Sequence, residues 1–316
     1  MTNLLKLRSF FHLPIGKDRS KIEILKYNFY IYPPKTHNTL KSLRTAQFIL
    51  LVFLAFVRPH RACALENYLP GARSLGLSHA SVSFSDTWSV FHNQAGTAGL
   101  KTFSAGFFFE SRFGLDELSL AAVSAVLPYG AGAFGISFLQ FGKGVFKENK
   151  FGLAYARQLS EKWNAGIQLD YLCQIFPENR RTRGFATFEG GILYHPSEKL
   201  HLGVHVFNPV SGGIQAPSGK VKVPAVCRGG GHYRFDETVL VAFEILKDYH
   251  NPALYKSGIE FLPAESFTLR FGVSGKPFAH SAGIGYRIGC FSANIAFSYH
   301  GNLGITPSVS VQIGSL

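Results

Sequence analysis

From about residue 100 onward, apolar and polar positions alternate with period two. In 163–175, Trp163, Ala165, Ile167, Leu169, Tyr171, Cys173 and Ile175 share one parity, and Asn164, Gly166, Gln168, Asp170 and Gln174 share the other, with Leu172 the exception. A strand sends successive side chains to opposite faces, so this segment is a two-faced β-strand. The device recurs in 186–194, in 267–274, in 291–300 and in the closing run 308–313. No segment of useful length after residue 100 follows a helical 3.6 period.

Turn residues such as Pro128-Tyr129-Gly130, Pro196-Ser197-Glu198 and Lys276-Pro277 punctuate the pattern. They divide it into fourteen predicted strands: 101–113, 116–128, 132–142, 150–159, 162–175, 183–195, 199–208, 222–235, 238–249, 254–262, 265–275, 280–289, 291–300 and 305–315. The spacing is ~15 residues per strand and turn, and a tilted transmembrane strand takes about 9–11 residues. An even number of antiparallel strands closes on itself and leaves no edge for lipid to satisfy. The polar faces hold mostly Gly, Ser, Thr, Asn and Gln rather than the Lys and Glu of a water-facing sandwich. Trp163, Tyr194, Tyr233 and Tyr299 lie near strand ends, where interfacial girdles form. The expected architecture is all-β: a transmembrane antiparallel up-and-down barrel of about fourteen strands over 101–316.

The N-terminal region has different logic. Residues 46–57 are a twelve-residue uncharged run, preceded by Lys41 and Arg44 and followed by Ala62-Cys63-Ala64. A spanning helix needs ~20 residues. A basic region, a short apolar core and an A-x-A site form a secretory signal peptide. Residues 40–64 are therefore expected to be the signal, with cleavage after Ala64. Residues 1–39 fit no targeting pattern and are expected to be a non-native or disordered extension.

Composition sharpens this division. The chain has 32 Lys and Arg against 19 Asp and Glu, a net +13, which first suggests an anionic partner. Yet residues 1–64 carry eleven of the basic residues against two acidic ones, and so +9 of the charge, leaving +4 for residues 65–316. Only 16% of the residues are charged and 14% are aromatic, where soluble domains run at about 25% charged. The basic excess marks export and gives no support to nucleic-acid binding.

The segment Gly71-Ala72-Arg73-Ser74-Leu75-Gly76, followed by Phe84-Ser85-Asp86 and Asn93-Gln94-Ala95-Gly96, resembles the opening of the FadL-like outer-membrane barrels, in particular their PorV/PorQ-like branch. Those chains carry Asn-Pro-Ala-Gly where this one has Gln94 in place of Pro. Leu153-Ala154-Tyr155-Ala156-Arg157, Phe207-Asn208-Pro209 and Ser257-Gly258-Ile259-Glu260-Phe261 are similar too, so the likeness covers about 71–316. It implies fourteen strands and an N-terminal segment, 65–100, that sits in or caps the lumen. Small residues Gly71, Ala72, Gly76 and Ala80 would let that segment lie against the wall. The alternative is that 76–85 is one more strand.

Candidate site residues follow. Arg73, Asp86 and Asn93 belong to the expected plug. Asp170, Glu189, Arg228, Glu260, Arg270 and Arg287 fall on polar faces and would point into the lumen, as would Arg157, His232, Arg234 and Lys256. They form either a polar path or a bracing network of ion pairs. Ser298, His300 and Asn302 are close in sequence, but nothing marks a nucleophile, so no catalytic residues and no enzyme are expected. His201 and His205 lack metal-ligand spacing for a strand, and no metal or cofactor is expected. Gly229-Gly230-Gly231 is no phosphate loop and is expected to mark a bend or a contact with the plug. Cys173, Cys227 and Cys290 are expected on lipid-facing positions. Residues 209–221 are expected to be a mobile lid or docking loop.

Three functions fit: a conduit for hydrophobic small molecules, a PorV-like accessory of type IX secretion that docks secreted proteins, and a structural outer-membrane protein with a blocked lumen. Partners would be outer-membrane lipid with hydrophobic small molecules or secreted proteins. A conduit predicts a continuous apolar track from loop to lumen, and lipid that co-purifies with the protein.

Overall fold

The computed structural model describes residues 67–144, 146–175, 182–216, 219–248, 251–275 and 278–314. The expected extension 1–39 and signal peptide 40–64 lie outside the described residues.

Alternating side chains build a closed antiparallel barrel of fourteen strands, as the pattern predicts. In chain order they are β1 (Ser104–Ser111), β2 (Ser119–Tyr129), β3 (Gly132–Phe141), β4 (Lys147–Ser160), β5 (Trp163–Ile175), β6 (Thr182–Tyr194) and β7 (Leu200–Phe207). A small hairpin, β8 (Gly213–Ala216) and β9 (Gly219–Lys222), follows outside the barrel order. The wall resumes with β10 (Val226–Arg234), β11 (Val239–Asp248), β12 (Leu254–Ala264), β13 (Phe267–Ser274), β14 (Ala279–Ile288), β15 (Phe291–His300) and β16 (Gly304–Ile313). β16 returns to β1, pairing Ala105 with Ile313 through Glu110 with Ser308, so no edge is left open.

Burial alternates with the strand period. Phe107, Ile136, Leu153, Leu169, Ile259, Phe271 and Ile295 are exposed on the outside, while Ser124, Gln168, Glu189, Glu244 and Ser308 are buried inside. A soluble barrel would expose the polar set. This one has the inverse arrangement of a transmembrane barrel. Trp163 and Tyr194 stack at 4.3 Å at the end of the barrel with the short connections, where turns such as 130–131, 161–162 and 289–290 join the strands. β1 begins and β16 finishes at this turn end. The opposite, loop end carries the longer segments, including 208–225.

That longer segment corrects one expectation. Instead of a mobile lid, 209–221 contains most of the β8–β9 hairpin, and Asn208 pins it. The Asn208 side chain accepts from Thr187 Oγ1 at 2.7 Å and from the Gly212 amide, and it donates to Val223 O at 2.8 Å. Ile214 and Val223 are buried with Leu172, Phe207 and Val226, against Phe185 and Leu246. β7 pairs with β6 only between Glu189 and Tyr194, so the loop-end half of β6 lacks a barrel partner on that side, and the hairpin packs there.

Residues 67–100 fill the lumen, so 76–85 is not a further strand. They form two short helices, α1 (Ala72–Gly76) and α2 (Ser89–His92), and a 3-10 turn at Gln94–Gly99. Tyr68 stacks on Phe141 at the loop end at 4.8 Å, and the segment then descends to enter β1 at the turn end. Backbone lies against backbone where the wall has glycine: a Cβ at Gly272 would sit 2.5 Å from Leu77 C, and one at Gly166 would sit 2.5 Å from Ala95 N. Gly229-Gly230-Gly231 is not such a place, because Gly230 crowds Phe243 O of β11 and Gly231 crowds His201 O of β7. The three cysteines are free; Cys227 and Cys290 are exposed, Cys290 within the β14–β15 turn, but Cys173 is buried.

Candidate functional site

The lumen has two characters. From β4 round to β15 its wall is charged, and the plug is bound to it by three networks. In the first, Arg228 of β10 donates through Nε and Nη2 to the two carboxylate oxygens of Glu244 on β11, at 2.9 Å each. Its Nη1 donates to His92 O of the plug at 2.8 Å. Glu244 Oε2 also accepts the Ser81 and Val82 amides at 2.9 Å, and Lys256 donates to Oε1 at 3.1 Å. Arg228 and Glu244 are essentially fully buried.

The second network centres on Glu260 of β12. Arg73 of α1 grips it through Nε and Nη2 at 2.9 and 2.8 Å, and Arg270 of β13 donates at 2.6 Å. Arg270 continues to Asn294 at 2.9 Å, and Arg73 reaches Asp86 at 3.4 Å. Arg73 also lies over the Phe84 ring at 4.3 Å. The third centres on Glu189 of β6, whose Oε1 accepts from Lys150, Gln168 and Gln94 at 2.8, 2.7 and 2.9 Å. Asp170 accepts from Gln168 at 2.8 Å and faces Lys150 at 3.5 Å. His205 lies 3.5 Å from Glu189 Oε2.

Buried charges persist only when paired, so these networks brace the interior. Asn93 adds a polar anchor: its side chain accepts the Ala95 amide and donates to Val82 O at 2.8 Å and to Val204 O at 3.3 Å. Gln94 occupies the position where the resembled turn has proline, and its amide becomes a ligand of Glu189. His92 donates through Nε2 to Pro70 O at 2.7 Å. Burial lowers its ordinary value of 6.5 to about 4.

The inner wall of β1–β3 is different. Paired rungs run from the loop end as Glu110, Leu120 and Phe141, then Phe108, Ala122 and Leu139, then Gly106, Ser124 and Ser137, then Ser104, Val126 and Gly135. A mostly apolar strip thus spans the lumen, interrupted by small hydroxyls and, at the loop end, by Glu110, which Arg112 pairs at 2.8 Å. The plug turns its own apolar face to it. Trp88, Val90, Phe91 and Leu100 are buried in the same cluster as Phe108, Leu120, Leu139 and Phe141. Trp88 packs against this strip: a Cβ at Gly106 would lie 2.9 Å from its ring, and Phe108 meets it edge-on at 6.0 Å. Its indole Nε1 has no hydrogen-bond partner among the described residues. On the outside of this sector, a groove of about 700 Å3 runs between Val123, Ile136, Phe138, Phe151, Leu153 and Tyr171.

The structure therefore brings Arg73, Asp86, Glu260 and Arg270 together, ties Arg228 to the plug, and joins Asp170 to Glu189. His232 accepts or donates at 2.8 Å with Ser83 of the plug. Arg287 and Arg234 stand apart from the networks, at the turn-end mouth. Arg157 corrects the sequence reading: its neighbours Ala154 and Ala156 are the buried positions, so it is exposed on the outer face. Sequence reasoning missed Glu244 because both faces of β11 are apolar around it. It missed Lys150 because β4 begins three residues before the expected start. No group of metal-ligating side chains occurs among the described residues.

No family model matches the sequence, and no curated protein does. Solved structures do. The CymD monoaromatic hydrocarbon channel superposes with a TM-score of 0.60 at 15% identity, covering 80% of this chain and 99% of that one. The toluene transporter TbuX of Ralstonia pickettii gives 0.60 at 12%, covering 78% and 98%. A Pseudomonas aeruginosa FadL homologue gives 0.58 at 12%, covering 78% and 98%. This chain shares their fold. The FadL-like part of the resemblance thus holds at the level of architecture, from the barrel to its strand number.

Proposed function

We propose that this chain is an outer-membrane conduit for hydrophobic small molecules, with the β1–β3 strip as its path and the plug as its stopper. The observation that carries the reading is the division of the lumen. Charge fixes the plug on one side, and mainly apolar packing opposes it on the other. An apolar molecule gains by burial along such a strip, about 25 cal/mol per Å2, and the one ion pair on it, Arg112 with Glu110 at the loop end, is already formed. The solved structures of like fold include channels for monoaromatic hydrocarbons and toluene, which suggests a ligand of that size. Export through the 40–64 signal would deliver the barrel to the outer membrane.

In this resting form the strip is filled, so passage requires Trp88 and its neighbours to move. The filled lumen also fits a barrel with no transport activity. A type IX secretion role and the PorV/PorQ branch rest on the sequence motifs over 71–316 alone. The test is 19F NMR of 4-fluorotoluene with the detergent-solubilised barrel. A bound resonance that grows in Trp88→Ala and disappears in Ala122→Trp supports the conduit. No bound resonance in any of the three proteins contradicts it.

A further inference from the structure

At the turn end, between β10 and β16, the lumen opens into a polar cavity of about 280 Å3. Its floor is the Arg73–Glu260–Arg270 cluster with Asn294, and its rim carries Arg234 of β10 and Arg287 of β14. Four guanidinium groups line it, against the carboxylates of Glu260 and Glu265. Asp86 adds one more negative charge from behind Arg73, and the cavity still carries an excess of cation.

Bracing explains only part of this arrangement. Glu260 is held by Arg73 and Arg270 together, so both of its oxygens are committed. Arg234 and Arg287 make no ion pair among the described residues, although a mouth needing only solvation could have used any polar residue. Thr268, Ser292, Gln312 and Ser85 supply further hydrogen-bonding groups around the same space. Planar guanidinium groups that converge on a small polar cavity are the recognition chemistry of an oxyanion, which takes two parallel N–H donors from each.

We propose that this cavity binds an oxyanion, carried as a carboxylate or a phosphate group, with Arg234 and Arg287 as its principal donors and Arg270 at its base. The anion completes a cluster that the protein leaves one negative charge short. Its source is either the head group of an amphiphile travelling through the lumen or a small soluble anion from the compartment at the turn end. The site does not depend on the apolar strip, so it stands or falls apart from the conduit.

The test is isothermal titration calorimetry on the whole barrel in a neutral maltoside detergent, with octanoate, acetate, inorganic phosphate and octanol. The variant is R234Q/R287Q, which removes two exposed side chains that support no other contact; retained heat-modifiable mobility shows that it folds. The expected result is one-to-one binding of octanoate, acetate or phosphate, weakened at least ~10-fold in the variant and weakened by salt. Octanoate binding much more tightly than acetate and phosphate identifies an amphiphile head group. Acetate or phosphate binding as tightly as octanoate identifies a soluble anion. Absence of anion binding overturns the proposal, as does binding equal in wild type and variant, or octanol binding that falls with the same variant. Anion binding in a protein that takes up no fluorotoluene would leave this site standing and remove the conduit.

Discussion

Arg228 and Glu244 form a two-pronged ion pair between β10 and β11, and both partners also hold the plug: Arg228 through His92 O at 2.8 Å, Glu244 through the Ser81 and Val82 amides at 2.9 Å. Glu244 alone neutralises two buried cations, Arg228 and Lys256. Glu244→Gln leaves both uncompensated and should loosen the plug by about 3–5 kcal/mol. Arg228→Met should cost less, because Lys256 still pairs with Glu244. Hydrogen exchange of the 72–99 amides measures the difference: large acceleration in Glu244→Gln, smaller in Arg228→Met, and unchanged protection in the strands.

Trp88 is buried in the apolar strip, with Gly106 behind it. Truncation to Ala removes a large buried ring and should destabilise the plug by about 3–5 kcal/mol. It should also open a path. Conductance of single barrels in planar bilayers should rise in Trp88→Ala, while Phe91→Leu, which keeps the strip filled, should stay near wild type.

The plug should also loosen in mild acid. His92 is buried against Pro70 O, near Asp86, Arg228 and Glu244, and burial holds it down at about 4, below its ordinary value of 6.5. Docked, the imidazole stays neutral; released, it takes up a proton below about 6.5. Docking is therefore undiminished above that pH and weakens as pH falls toward 4, by up to about 3 kcal/mol. Protease cleavage within 72–99 should increase between pH 7.5 and 5, and His92→Gln should flatten that dependence.

Close approach of plug and wall gives a steric prediction. At Gly272 a Cβ would meet Leu77 C at 2.5 Å, and that is backbone that cannot swing aside. Gly272→Val should expel the segment around Leu77 while leaving the β12–β13–β14 pairing intact. The expected signature is protease sensitivity near Leu77 with normal heat-modifiable migration of the barrel.

The strand plan was legible because the wall is a repeated choice between lipid and lumen, and each choice leaves an apolar or polar residue at fixed parity. β15 was read to the residue, 291–300. Parity fails where both faces are apolar, which hid Glu244 among Leu240, Ala242 and Leu246. It also fails near strand ends, where Arg157 reaches the outer rim and needs no lumen partner. The β8–β9 hairpin was unreadable because its Gly, Ser and Pro residues signal a loop, while its order comes from Asn208 and from burial of Ile214 and Val223. Arg73 and Asp86 were legible as charges of the plug, yet the tie of Arg73 to Glu260 depends on how the plug lies in the barrel. Trp88 has no sequence signature at all; its place follows from Gly106 in the wall against its ring.

The most direct test of the central claim is toluene uptake by cells whose outer membrane carries the barrel, compared with cells that lack it. The account predicts faster uptake with the wild-type barrel, faster still with Trp88→Ala, and a return to the barrel-free rate with Ala122→Trp, which fills the strip. Equal rates in all four would contradict it.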